Sequence, residues 1–268
     1  MDAQRAEAFR IRVFDDLRPV QRPACDGTRL AMGPAVSPLS DRTPTTLPSG
    51  VVVGSILGPR ASDVIEVVDH RDGTIEIALL DVRAPRGQEQ FHARLANAVR
   101  AGLELRLPLH EIARSMRSVI SLAVAASVGA TILRLSESDE RVELLNAGMP
   151  PVACVFPDGR LLSLPSLSGD VGPRSPGAHP YEMMPWVPGA VWVLASDGAT
   201  VGSVDDAGTL WSSLGLPENA ATLADITSAE LEARFSRGLS SLPAPEDASV
   251  IVVDARSRIR YSGASFRQ

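Results

Sequence analysis

The 268-residue chain contains no lysine; its 26 basic residues are all arginine. That absence excludes whole chemistries. A Walker A loop needs a phosphate-binding lysine, a protein kinase needs its strand lysine, and pyridoxal catalysis needs a lysine for the Schiff base. Cysteine is nearly as scarce. Cys25 and Cys154 stand far apart with no C-x-x-C spacing, which favours a reduced, cytoplasmic setting over a disulfide scaffold. His70, His92, His110 and His179 lack zinc spacing, H-E-x-x-H is absent, and all four are expected on the surface or in loops. Ser175 lies in G-P-R-S-P-G and not in the G-x-S-x-G of a nucleophile elbow. Positive charge is in deficit: the net charge is −6, so there is no bulk attraction to nucleic acid or anionic membrane. Long apolar runs are missing too. Residues 1–15 are charged and lack the apolar centre of a signal peptide. The most membrane-like run, Ser118 to Leu133, is short, carries Ser121, Ser127, Gly129 and Thr131, and is flanked by Arg117 and Arg134. A buried helix running into a buried strand explains it, and no membrane span is expected.

What is present is ordinary globular chemistry, 44% hydrophobic and 22% charged, in a chain long enough for a sizeable core. Residues 1–47 become rich in Pro, Ser, Thr and Arg and read as an arm or linker. Strands follow at 51–58, 63–69 and 74–82, the last two joined by an Asp72-Gly73 hairpin turn. Helical spacing runs over 88–106 and again from Pro108 to about Ala126. Strands are then predicted at 131–135, 142–147, 152–156 and 160–164, with a Pro-, Ser- and Gly-rich loop at 165–187. The run 190–198 is a buried strand ending in Asp197-Gly198, 222–239 holds a helix, and 248–256 is a last buried strand. Helices interrupting many hairpin-connected strands imply an α+β layered fold. Trp186, Trp192 and Trp211 are expected to pack and not to form a ligand platform.

Acids stand at strand ends. Asp63 opens one strand, Asp81 lies near the end of another, Asp197 ends a third, and Glu246 and Asp247 precede the last. Carboxylates at the ends of buried strands that converge on one rim would favour hard divalent ions. Each acid alone more often builds a turn. Arg83 and Arg86 flank the acidic site and are read either as phosphate-binding residues or as a solvated loop.

The order of the segments carries more than any one of them. A-S-D-V-I-E (61–66) corresponds to a G-G-D-F-Y-D-like block, and L-D-V-R-A-P-R-G (80–87) to a G-D-V-S-G-H-G block. N-A-G-M-P-P (146–151) corresponds to an A-G-H-P-P segment, A-S-D-G (195–198) to a T-D-G block, and E-D-A-S (246–249) to a terminal D-D-x-T block. In these five ordered blocks, from about residue 50 to residue 256, the chain resembles the SpoIIE-type branch of the protein phosphatase 2C superfamily.

The resemblance implies a four-layer α/β/β/α sandwich, two antiparallel sheets flanked by helices, as one domain over 48–258 with a tail at 259–268. It implies a site of two Mn²⁺ or Mg²⁺ ions that hydrolyses phosphoserine or phosphothreonine. Carried over position by position, Asp63, Asp81 and Asp197 match the catalytic metal ligands, the Val82 carbonyl matches another, and Glu246 matches the first acid of the terminal pair, with Asp247 the competing candidate. The implied substrate is a phosphorylated regulator, such as an anti-anti-sigma-type protein; a homodimer is left open. The sequence also departs from the family blocks. Ala84-Pro85-Arg86 replaces G-H-G, Ala61-Ser62 replaces paired glycines, Glu66 is the second acid of its block, and Met149 replaces a histidine. Those departures keep a second reading open, a pseudophosphatase that uses the fold for binding. A third is a two-metal phosphodiesterase.

Overall fold

The computed structural model describes residues 45–46, 51–56, 63–70, 72–84, 89–123, 126–175, 178–199, 230, 233–234, 237 and 248–254. Among these, two antiparallel sheets stack face to face. One has the order β1(Thr45–Thr46), β2(Val51–Ile56), β11(Ala248–Asp254), β10(Val191–Ala195), β7(Val152–Val155), β8(Leu161–Leu164). The other runs β3(Asp63–Asp69), β4(Thr74–Arg83), β5(Ser127–Ser136), β6(Arg141–Ala147), β9(Glu182–Pro185). Helices α1(Glu89–Glu104) and α2(Leu109–Ile120) cover the outer face of the second sheet. Of the helix expected at 222–239, the described positions Glu230, Ala233, Arg234 and Arg237 are helical, with Arg234 holding Glu230 at 2.6 Å.

Strand β4 shows why the core divides in two. Side chains alternate across a strand. Ile75, Ile77 and Leu79 face the other sheet and pack with Trp192, Leu194, Cys154 and Ile251. Ala78, Leu80 and Val82 face the helices and pack with Leu95, Val99, Ile112 and Met116. Both faces being covered, β4 is buried from Thr74 to Val82, and each fully buried Leu or Ile contributes about 1.5–3 kcal/mol. Cys154 is a free, buried thiol in the inter-sheet layer, and burial pushes its pKa up to about 12. The helices close on each other at Gly102, where an added Cβ would lie 2.9 Å from Ile112 Cγ1.

A charged row crosses the helix-facing side of the second sheet. Glu76, Arg134 and Glu143 are consecutive cross-strand partners in the ladder. Arg134 donates to Glu76 and to Glu143 at 2.8 Å each, and to the Leu107 carbonyl at 2.6 Å, so it ties the α1–α2 connection to the sheet. Burial pushes the Glu76 carboxyl up, and Arg134 pulls it back. On the edge strand β3, half-buried Glu66 points inward and is paired with Arg100 at 3.0 Å, a placement that discourages edge-to-edge pairing.

Three features differ from the sequence expectation. Strand β1 lies within the stretch read as an arm and pairs with β2 through Thr45↔Val53. Helix α2 ends at Ile120 and β5 already begins at Ser127, because a short apolar run does not by itself distinguish strand from buried helix. Strand β9 was expected as loop; it is an edge strand ending in Pro185, a place where proline costs no ladder bond. His179 lies in a loop, as expected, and is buried there with its Nδ1 2.9 Å from Ser168 Oγ.

Candidate metal centre

Asp63 and Asp81 are direct partners in the β3–β4 ladder, so their side chains leave the same face of the sheet. Asp81 continues the row Ile75, Ile77, Leu79 that faces the other sheet, and Arg83 is next in that row. Asp197 belongs to the other sheet: it opens the short 3-10 turn Asp197–Ala199 that follows β10. Thus Asp63 and Asp81 come from one layer and Asp197 from the other.

Arg83 joins them. Its Nε donates to Asp81 Oδ2 at 2.9 Å and its Nη2 lies 2.8 Å from the same oxygen. Nη2 also donates to Asp197 Oδ2 at 2.9 Å, and Nη1 to Asp170 Oδ2 at 3.1 Å. Burial works against the Arg83 charge, but Asp81, Asp170 and Asp197 outweigh it and raise the pKa. Burial pushes the Asp81 carboxyl up, Asp197 repels it further, and Arg83 offsets part of both effects.

Asp170 was not singled out by sequence. It lies in the loop read as Pro-, Ser- and Gly-rich, and no motif marks it. Its carboxylate is fixed by Ser127 Oγ at 3.0 Å, and Ser127 is the ladder partner of Arg83. Gly148 makes the approach possible. It has φ of +69°, and an added Cβ would collide with Asp170 Oδ1 and lie 2.8 Å from the Asp170 amide nitrogen. Gly148→Ala is therefore expected to cost about 2 kcal/mol or more, from a left-handed backbone and a displaced loop. In thermal denaturation that is a fall of roughly 4–8 °C; an unchanged midpoint would mean that the Asp170 loop yields freely.

The Val82 carbonyl has a defined direction. Val128 exchanges both its backbone bonds with Val171, at 2.9 and 2.8 Å, so Val82, its ladder partner on β4, belongs to a non-hydrogen-bonded pair. The Val82 carbonyl then points to the β3 side, where Asp63 lies. Glu246, Asp247 and Arg86 lie outside the described residues. β11, which the two acids precede, starts at Ala248, and Ser249 exchanges hydrogen bonds with Ser196, the neighbour of Asp197. Met149 is buried in the inter-sheet core.

The donor set fits a hard cation: carboxylates from both sheets reach one cationic group, and oxygen donors are what Mg²⁺ and Mn²⁺ prefer. Among the described residues, no group of three or more His, Cys, Asp or Glu is arranged to hold a metal as it stands; the point of convergence is taken by the Arg83 guanidinium. Beside it opens a cavity of about 770 Å³ whose walls include Ser127, Asp170, Arg174 and Ser175. No helix among the described residues is long and apolar enough to cross a membrane.

Comparison with known proteins bears on the family and the fold. The family model described as Stage II sporulation protein E (SpoIIE) matches residues 90–256, more than half of the chain. No curated protein matches. Among solved structures, the RsbU and RsbW domains of Rv1364c from Mycobacterium tuberculosis are similar with a TM-score of 0.61 at 13% identity, over 76% of this chain and 59% of that one. The PP2C phosphatase domain and regulatory fragment of the cell fate determinant SpoIIE from Bacillus subtilis gives 0.56 at 14% identity, over 76% of this chain and 63% of that one. The catalytic domain of the serine/threonine phosphatase PstP, in complex with two manganese ions, gives 0.53 at 18% identity, over 76% and 96%. At these identities the likeness shows the fold, a PP2C-type sandwich.

Proposed function

This chain belongs to the SpoIIE family, and from that membership we propose that it is a metal-dependent serine/threonine protein phosphatase, with the activity housed in residues 48–258. The observation that carries the reading is the convergence of Asp81 and Asp197, from two different sheets, on a single cationic group. Asp63, Asp81, the Val82 carbonyl and Asp197 are the groups that would hold Mn²⁺ or Mg²⁺, with Glu246 or Asp247 completing the set. Two such ions, when bound, supply a water activated for attack on phosphorus.

The remaining work falls to the chain. The inter-sheet core behind Asp81 is closed by Leu79 and Leu194, which keeps bulk water to the open side. The cavity at Asp170 gives a phosphorylated side chain its approach, and Arg174 on its wall is suited to the phosphate oxygens. The substrate class is a small phosphorylated regulator of the anti-anti-sigma type; a fold neighbour that combines RsbU and RsbW domains supports a signalling setting. A second reading, a binding module without turnover, is favoured by one observation: Arg83 occupies the middle of the acids.

A metal titration separates the two. Saturating Mn²⁺, at a hundredfold excess over its Kd, should stabilise the fold by about 2.7 kcal/mol and switch on hydrolysis of a phosphoserine protein. Full activity in excess EDTA would defeat the proposal. Metal stabilisation with no hydrolysis would establish the binding module.

A further inference from the structure

We infer that Arg83 is a resident counter-ion that competes with divalent metal for Asp81 and Asp197, so that loading this centre is an exchange in which the guanidinium leaves for solvent. The inference rests on the reading of the centre as a metal site, and concerns its regulation.

The geometry is specific. One guanidinium meets carboxylates from three separate places in the chain, Asp81 on β4, Asp170 in its loop and Asp197 after β10, all within 2.8–3.1 Å. Arginine's planar fork suits such multiple carboxylate contacts, where a single-point cation does not. In the family block set beside this segment a serine stands at the Arg83 position. Its support is local: Ser127 holds Asp170 at 3.0 Å, and Gly148, the glycine shared with the A-G-H-P-P block, leaves room for it. The anchor and the arginine form one device.

Charge and exposure make the device reversible. One guanidinium against three carboxylates leaves two negative charges uncompensated, so the centre still attracts a divalent ion. Asp81 is deeply placed, with its side chain 8% exposed, whereas that of Arg83 is 44% exposed. The arginine head can therefore swing into water without burying its charge, its stem staying on the protein. Asp81 cannot follow it. Metal and guanidinium would then compete for the carboxylates of Asp81 and Asp197, and each would weaken the hold of the other.

The test is a calorimetric titration of Mn²⁺ into the full chain and into the variants Arg83→Ser and Asp170→Asn, with thermal denaturation of all three in EDTA. Arg83→Ser should bind Mn²⁺ about tenfold more tightly or better. Asp170→Asn, which loosens Arg83 without touching a family ligand position, should shift affinity in the same direction by a smaller factor. In EDTA, Arg83→Ser should melt below wild type, because its acids then repel one another with nothing between them. Equal or weaker Mn²⁺ binding by Arg83→Ser would overturn the exchange while leaving the metal reading standing. Weaker binding by Asp170→Asn would mean that the Asp170 charge serves the metal more than it serves Arg83, and would overturn its role as the arginine's anchor. Absence of binding in all three proteins would defeat both the exchange and the metal site beneath it.

Discussion

Asp81→Asn is expected to abolish most of the turnover proposed for this chain, by roughly 100-fold or more, since a bound metal ion would contribute several kcal/mol of charge stabilisation and each decade corresponds to 1.36 kcal/mol. The substitution keeps shape and removes one negative charge from the most deeply placed acid of the centre. Asp197→Asn should behave alike, because Asp197 is the contribution of the opposite sheet. Both changes also weaken Arg83, so the metal-free proteins lose an ion pair while they lose repulsion, and their melting temperatures should stay near that of wild type. Turnover on a phosphoserine protein and Mn²⁺ affinity by calorimetry are the measurements. Wild-type turnover in both variants at limiting metal would place the reaction elsewhere.

Arg134→Met carries the largest expected loss of stability, about 3–5 kcal/mol, the usual result of removing one partner from a buried ionic group. Glu76 is wholly buried and Glu143 nearly so, and the Leu107 carbonyl loses its donor as well. For a domain of this size that is a fall of roughly 6–20 °C. Arg134 is the chief influence holding the Glu76 carboxyl down, with burial pushing it up, so its removal lets that carboxyl rise further. A carboxyl raised in the folded state takes up its proton before the unfolded chain does as pH falls. The destabilisation should therefore be greater at about pH 8 than at about pH 5. Adding Glu76→Gln and Glu143→Leu to Arg134→Met should recover much of the loss, since a row without net charge leaves nothing to neutralise. A pH-independent loss under about 1 kcal/mol would mean that water reaches the row.

Much of this architecture was legible in the sequence for identifiable reasons. The β3–β4 hairpin is signalled by Asp72-Gly73, and Gly73 adopts the positive φ of 88° that the turn requires. Period-two alternation at Ile75, Ile77 and Leu79 places Asp81 in the row facing the opposite sheet, and the ordered blocks pointed to Asp197. The Arg83 contacts were not legible. They span 87 residues to Asp170 and 114 to Asp197, a distance over which neither periodicity nor turn chemistry speaks. The solvated loop held open for Arg83 is instead the end of a strand, with the guanidinium in an ion-paired clamp. Strand β9 escaped because a short edge strand between prolines looks like loop.

Cys154 gives the sandwich a built-in clock. Its thiol lies between the sheets on β7, opposite Trp192 on β10, and a maleimide attacks only thiolate that it can touch. With Cys25→Ser removing the other thiol, the rate of labelling counts how often the two layers part far enough to admit reagent. Any ligand that ties Asp81 in one layer to Asp197 in the other should slow that clock, and the slowing is readable without a substrate.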